Sequence, residues 1–359
     1  MTKSAAPCEV SWFSALCDDD YEFLGVPDPQ LASTFEHCRT IALAAEAGGF
    51  DNLLLPSGYA LGIDSITFAA GLAPLLKRMR LLAAIRCGEM WPPQLARQLA
   101  SLNQMLDGRL TINIISSDLP GETMASAPRY RRTVEVMHIL AALMSGKPVD
   151  VDGEFYRFKL DPPRLLQGDV RRPPFYFGGL SDDAREAAAE AADVYLMWPD
   201  RMEVVRGIVA DLSERAARRG RKLRFGYRVH VVVRESEVEA RLAADRLLSR
   251  LDDAEGARIR ERSLDSASYG VRRQAELRET ASAEGYAEDN LWTGIGRARS
   301  GCGAAIVGDP DQVLAKLNAY REAGIDAFIL SGYPHAREAD LFARHVLPRM
   351  GHGPLTLEP

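Results

Sequence analysis

Short apolar runs alternate along this chain with longer stretches whose apolar positions recur every three or four residues. The short runs lie at 10–14 (VSWFS), 52–56 (NLLLP), 81–85 (LLAAI), 110–115 (LTINII), 175–177, 194–198, 224–233 and 327–331 (AFILS). They are too brief for helices, so they predict strands. Helical spacing follows each of them, over 34–48, 65–76, 93–106, 129–144, 182–191, 203–219, 235–251 and 337–350. Runs such as LLAAI and AFILS show no polar alternation, as expected of strands covered on both faces of a parallel sheet. Eight strand–helix repeats in one chain predict an α/β fold, a (β/α)₈ TIM barrel in preference to an open doubly wound sheet, as a single domain over 1–359.

Two segments break the rhythm. Residues 147–174 hold Pro162, Pro163, Pro173 and Pro174 and predict an excursion. Residues 252–299 are long, charged and poor in apolar positions, with Arg258, Arg260, Arg262, Arg272, Arg273 and Arg278. They read as a mobile lid or as solvated surface helix. Beyond them, 303–307 is a candidate extra strand and 310–323 a helix.

Composition narrows the function classes. Hydrophobic residues make up 47% and charged residues 26%, enough for a large core. Lys+Arg 44 against Asp+Glu 50 gives a net charge of −6, with no basic excess to hold nucleic acid or an anionic membrane. No apolar run approaches the roughly 18 residues of a membrane span. Met1-Thr2-Lys3-Ser4 leads to Glu9 without an apolar run of signal-peptide length. The five cysteines, Cys8, Cys17, Cys38, Cys87 and Cys302, include no C-x-x-C pair, which predicts reduced thiols in a cytoplasmic protein. The six histidines are scattered and H-E-x-x-H is absent, so no metal site is expected. G-x-S-x-G and P-loop patterns are absent too, which removes serine hydrolases and nucleotide triphosphatases.

A barrel of this kind works at the C-terminal ends of its strands, so polar residues there are the candidates. In 224–233 the alternation puts Arg228 and His230 on one face. A buried arginine must meet an anion or a carboxylate, so the pair is either a site inside the barrel or a structural ion pair. Ser331-Gly332-Tyr333-Pro334-His335 ends the last strand. Tyr333 could donate to an oxyanion and His335 could hold phosphate or move a proton; the alternative is a capped turn. Gly178-Gly179-Leu180-Ser181 joins a strand to a helix, a place that suits phosphate and equally a tight turn. Asn113, with Ser116 and Ser117, ends the fourth strand. Trp198 ends the sixth, as the wall of a flat ligand or as core. Arg297 and Arg299 beside the charged insertion are an anion clamp or solvated loop residues.

One ordered series of motifs is more specific. It comprises Trp12-Phe13, Leu24-Gly25, Pro56-Ser57-Gly58, Ala96-Arg97-Gln98, Tyr176-Phe177-Gly178-Gly179, Gly226-Tyr227-Arg228-Val229-His230, Asn290-Leu291-Trp292, Val307-Gly308-Asp309 and Ser331-Gly332-Tyr333-Pro334-His335. From Val10 to about Leu347 the chain resembles the flavin-dependent monooxygenases of the bacterial luciferase-like superfamily, and among them the alkanesulfonate monooxygenases. The resemblance implies a (β/α)₈ barrel with a mobile insertion and a two-component system. An NAD(P)H:flavin reductase supplies reduced FMN, and O2 as co-substrate converts it to a flavin C4a-peroxide that oxygenates a small molecule. It implies catalytic roles for Arg228, His230, Arg299 and Tyr333. Substrate contacts are implied for Trp198, Arg228, Arg299, His335 and Cys17. FMN contacts are implied for Asn113, Tyr130, Gly179, Ser181, His230 and Tyr333. A homo-oligomer, dimer or tetramer, is also implied.

The expected reaction is desulfonation of an alkanesulfonate to aldehyde and sulfite. Baeyer–Villiger insertion into a ketone or a carrier-bound β-keto acyl group is the second expectation. A deazaflavin-dependent hydride transferase and a non-catalytic flavin-binding protein are the alternatives of another class. Two departures bear on the substrate. Cys17 stands where alkanesulfonate members carry a histidine, and Gly58 to Asp64 lacks their cysteine. The loop Cys17-Asp18-Asp19-Asp20 is acidic, and an acidic mouth repels a sulfonate unless arginines outweigh it.

Overall fold

A computed structural model describes residues 7–59, 62–167, 171–261 and 268–357 of the chain. The first half runs β1 (Glu9–Phe13), α1 (Phe35–Gly48), β2 (Asn52–Leu55), α2 (Ser65–Leu72), β3 (Arg80–Arg86), α3 (Pro92–Met105), β4 (Leu110–Ile115) and α4 (Ser126–Met144). Then follow β5 (Val149–Asp152), β6 (Arg157–Leu160), β7 (Phe175–Phe177), α5 (Asp182–Ala191), β8 (Val194–Met197), α6 (Met202–Ala217), β9 (Arg224–Val233) and α7 (Glu237–Leu248). The last part holds α8 (Asp253–Glu261), α9 (Tyr269–Glu279), β10 (Tyr286–Glu288), β11 (Leu291–Trp292), β12 (Ala305–Gly308), α10 (Pro310–Glu322), β13 (Ala327–Ser331) and α11 (His335–His345).

Strands β1, β2, β3, β4, β7, β8, β9 and β13 pair in that order, all in parallel, and β13 pairs back onto β1. The eight runs read from the sequence are the eight staves of a closed (β/α)₈ barrel. Alternation sorts their side chains. Val10 and Trp12 of β1 face the helices, with Tyr227, Val229, Val231 and Val233 of β9, in the large core between strands and helices. The opposite parity fills the barrel. At its base Glu9 is fully buried, and its Oε1 accepts from the Tyr176 hydroxyl at 2.7 Å and from Asn52 Nδ2 at 3.3 Å. Above this layer sit Phe13, Leu54, Leu82 and Ile329. Arg228 and His230 belong to the same inward row.

Local signals set the helix ends. Thr34 accepts from the His37 N–H and caps α1, and Gly49 at φ 86° stops it. Pro74 ends α2 earlier than its apolar spacing suggests, in a short 3₁₀ turn. The 147–174 excursion contains an antiparallel hairpin, β5–β6, that the proline count obscured. Glu135 of α4 ties it down by accepting from the Phe155 and Tyr156 N–H groups.

The sheet forks at the mouth of the barrel. Strand β9 is long: its first half pairs with β8, and its second half pairs with β12, from Ala305 opposite His230 to Gly308 opposite Val233. The extra strand expected near 303–307 is β12. It carries the β10–β11 hairpin and so brings the 252–299 insertion over the barrel's C-terminal end. Described residues of the insertion anchor it to the barrel: Arg273 makes a two-pronged contact with buried Asp200 at 2.6 and 2.9 Å, and Gln274 donates to the Pro199 carbonyl at 2.7 Å. Residues 262–267 of the expected lid lie outside the described residues.

Candidate active site

Two adjoining cavities open beneath the insertion. The first, of about 280 Å³, sits over the barrel axis and is lined by Phe13, Cys17, Asp18, Arg228, Arg299 and Cys302 among others. The second, of about 480 Å³, runs outward past Asn113, Ser116, Arg129, Tyr130, Gly179 and Ser181. Asn113, Ile115, Leu196 and Trp198 line both, so the two form one elongated space.

Arg228 and Arg299 share the ring of Phe13, with guanidinium carbons 4.2 and 5.2 Å from its centroid. Arg228 Nη1 donates to the carbonyls of Val229 at 3.1 Å and Ile329 at 3.4 Å, and Nη2 has no partner among the described residues. Arg299 Nη1 donates to the Tyr333 hydroxyl at 2.7 Å, and Nε has no partner among the described residues. Among the described residues no carboxylate forms an ion pair with either guanidinium. Burial and the neighbouring Arg299 lower the Arg228 pKa. Burial acts the same way on Arg299, but Tyr333, Cys17 and Asp18 outweigh it and the net shift is upward. Two cations therefore converge on one cavity with unused N–H groups, which is an arrangement for an anion.

His230 is fully buried behind them. Its Nδ1 lies 2.7 Å from Ser331 Oγ, its ring stacks on Tyr333 at 5.4 Å, and its Nε2 has no partner. Burial, then Arg228 and Arg299, holds the imidazole well below its usual pKa, so it is neutral at pH 7. Folding stability follows from the sign of that shift. The unfolded chain takes up the proton near pH 6.5 while the native state does not, so stability is full above that pH and falls below it. His230→Gln is expected to lose less in Tm than the parent between pH 7.5 and 5.5. Equal losses in calorimetry would show that His230 does not drive the acid sensitivity.

Tyr333 is neutral as well, since burial raises its phenol and Arg299 only partly offsets that. It reaches the first cavity through Arg299. His335 does not line that cavity: its Nδ1 meets Asp20 at 2.8 Å, and its ring stacks behind Phe13 at 6.0 Å. The direct substrate contact expected of it is therefore not what the geometry offers. Cys17 is on the wall, with a thiol that burial pushes up.

The second cavity collects the residues expected near a phosphate. Ser181 caps α5 by accepting from the Ala184 N–H at 3.3 Å. Gly179 has φ +149°, and a Cβ there would lie 2.7 Å from Ala184 Cβ and 3.2 Å from the Tyr130 hydroxyl. The bare backbone keeps a cradle open at a helix N-terminus. Trp198 divides the two spaces. A Cβ on Gly270 or on Gly301 would stand 2.9 or 3.0 Å from its indole, so α9 and the segment just after the insertion both pack closely on the ring.

Several lining residues escaped the sequence reading. Arg86 is buried at the end of β3, and Arg129 opens α4 with its Nε unpartnered. Gly270 was also missed, whereas Ser116, at the end of the fourth strand, and Asp18, in the acidic loop, are on the walls of the two cavities. Arg129 directly precedes Tyr130, which was the one usable signal. The rest depend on loop paths. Among the described residues no cluster of three or more His, Cys, Asp or Glu side chains could hold a metal ion, and no helix is long and apolar enough to cross a membrane.

The family model of the luciferase-like monooxygenases matches residues 23–327. The chain belongs to this family. Two curated relatives are sulfoquinovose monooxygenases. That of Novosphingobium aromaticivorans is 65% identical over 357 residues, covering 98% of this chain and 99% of the relative. That of Agrobacterium fabrum is 55% identical over 345 residues, covering 95% and 89%. A solved riboflavin lyase with modified FMN superposes with a TM-score of 0.76 at 16% identity, over 96% of this chain and 91% of the other, and shares the barrel fold. As a luciferase-like monooxygenase the chain is an enzyme. The sulfonate expectation agrees with the relatives' names; the alkane part of it does not, since both are named for a sulfonated hexose.

Proposed function

We propose that this luciferase-like monooxygenase uses reduced FMN, supplied by a separate NAD(P)H:flavin reductase, to desulfonate a sulfosugar, with sulfoquinovose the first substrate to test. The observation that carries the reading is the pair of buried arginines, Arg228 and Arg299, which face one cavity with unused N–H groups and, among the described residues, with no ion pair to a carboxylate. A sulfonate oxygen set would satisfy both. The remaining wall is mixed: Leu54, Pro56, Ile115, Leu196 and Ile259 stand beside polar side chains that could meet a polyol. Asp18, Ser57, Arg86 and Asn113 offer polar groups that hydroxyls can bond and methylenes would leave unmatched.

The second cavity suits FMN. The α5 N-terminus, Ser181 and Tyr130, with Arg129 beside them, would hold its phosphate, and Trp198 and Asn113 would flank its ring. Ser116 Oγ and Arg129 Nε are buried without partners, as polar atoms awaiting a ligand are. Reduced flavin supplies the two electrons with which dioxygen is divided. In the net reaction one oxygen atom joins the sulfonate-bearing carbon and the other goes to water; that carbon loses one hydrogen as a proton, the C–S bond breaks with its pair on sulfur, and sulfite and aldehyde leave. Arg228 and Arg299 hold the sulfonate and stabilise the charge that grows on its oxygens as the bond breaks. The Tyr333 hydroxyl fixes Arg299. Neutral His230 adds no third cation and leaves Nε2 for a hydrogen bond. Trp198 and the insertion exclude water.

The test is to supply reduced FMN, oxygen and sulfoquinovose and to measure sulfite with a thiol reagent, beside C1 to C10 alkanesulfonates and a ketone panel. Sulfite from sulfoquinovose at a kcat/KM at least 100-fold above any alkanesulfonate is expected. Equal use of the alkanesulfonates would remove the polyol reading, and ester formation from a ketone without any sulfite would overturn desulfonation.

A further inference from the structure

The acidic first loop does more than set the charge of the mouth. Asp20 is fully buried and gathers donors from three elements. Its oxygens accept from the His335 backbone N–H at 3.1 and 2.9 Å and from His335 Nδ1 at 2.8 Å. His37 Nε2 on α1 lies 3.1 Å away, and the Tyr21 N–H donates at 2.9 Å. A carboxylate set on the first N–H of α11 also meets the positive end of that helix. His335 is 1% exposed, and its Nε2 has no partner.

What the clamped imidazole touches is the reaction cavity's own support. Its ring meets Tyr333 edge to face, 4.9 Å between centroids at 90°. Tyr333 is held on its other sides by His230 at 5.4 Å and Tyr21 at 5.8 Å. Only its hydroxyl is left to act, and it accepts from Arg299. A line of contacts thus leads from the half-buried His37 through Asp20, His335 and Tyr333 to a guanidinium on the cavity wall.

We propose that Asp20 is a positioning residue of the reaction: it holds His335 with a hydrogen on Nδ1, and through that ring sets Tyr333 and the angle at which Arg299 meets the substrate. The carboxylate stays ionised in this role. Burial would raise its pKa, but the His335 and His37 donors outweigh burial and hold it well below the usual carboxylate range. An ionised acceptor requires the Nδ1–H form of the ring, as a neutral side chain would not.

The proposal predicts a coupling that a purely structural clamp lacks. Asp20→Asn should lower kcat for sulfite release at least fivefold, with KM within threefold. In a Tyr333→Phe background, where the link to Arg299 is already cut, the same substitution should change kcat less than twofold. Effects that multiply would overturn the route through Tyr333. Should Asp20→Asn fail to fold, His37→Ala, which removes one donor from the solvent side, is read in the same cycle with an expected twofold loss. Nitrogen NMR of the parent gives a reading without turnover: His335 Nδ1 should carry a hydrogen, and an unprotonated Nδ1 overturns the proposal. The kinetic arm rests on the desulfonation reading and the nitrogen signal does not. No sulfite from any sulfonate with an intact Nδ1–H therefore counts against the substrate and supports the clamp.

Discussion

Arg228→Met is expected to lower kcat for sulfite release at least 100-fold while leaving the melting temperature unchanged or higher. The two effects separate because the arginine is placed for a ligand and not for the fold. It is 3% exposed, stacks on Phe13, and engages only Nη1, on two backbone carbonyls, which leaves Nη2 for a ligand. A buried cation without a carboxylate is a cost to the folded chain, and methionine keeps the contact with the phenyl ring without it. Catalysis loses a preorganised cation in a dry site, a loss on the order of 3 kcal/mol for a single such donor. Differential scanning calorimetry beside the sulfite assay decides the matter. A drop in Tm of several degrees with kcat within threefold would make Arg228 a structural residue.

Cutting the insertion's anchor should be the second large effect. Arg273→Ala removes both bonds to Asp200, which is 3% exposed and among the described residues takes one other donor, the Arg201 N–H. An uncompensated buried carboxylate costs a few kcal/mol. The arginine is itself about a quarter exposed, so the loss falls toward the lower end of that range. It falls on α9, which rests on Trp198 through Gly270 and covers the second cavity. Limited proteolysis within 269–279 should accelerate at least tenfold, and reduced FMN should bind at least tenfold more weakly. Parent-like cleavage would show that the other contacts, such as Gln274 to Pro199 and Arg278 to Gly296, suffice to hold the cover.

Both predictions depend on placements of different kinds. Arg228 and His230 were legible along one strand, because a period of two sends alternate residues to the same face and the apolar residues between them claim the helix side. The eight strands, the Ser181 cap and the cradle at Gly179 were legible for the same reason: each depends on neighbours a few residues away. Arg299, Tyr333 and the charged insertion were singled out, but what they meet depends on residues far off in the chain. The partner of the Arg299 guanidinium is 34 residues on, and that of His335 is 315 residues back.

The sequence by itself determined the barrel, the facing of its strands and the types of group at their ends, since these follow from local periodicity and turn chemistry. Tertiary structure alone decided which ends meet. The fork of β9 into β12 carries Arg299 over the mouth, and two glycines with no side chain to spare let α9 and the segment just after the insertion pack on Trp198. The closure of β13 onto β1 brings His335 to Asp20 and takes it off the cavity wall. The acidic loop read as a field opposed to an anion, but the carboxylate of its Asp20 is turned inward and taken up by contacts to two imidazoles and backbone N–H groups. A charge's effect is set by its nearest partners in a dry interior, and sequence spacing does not record them.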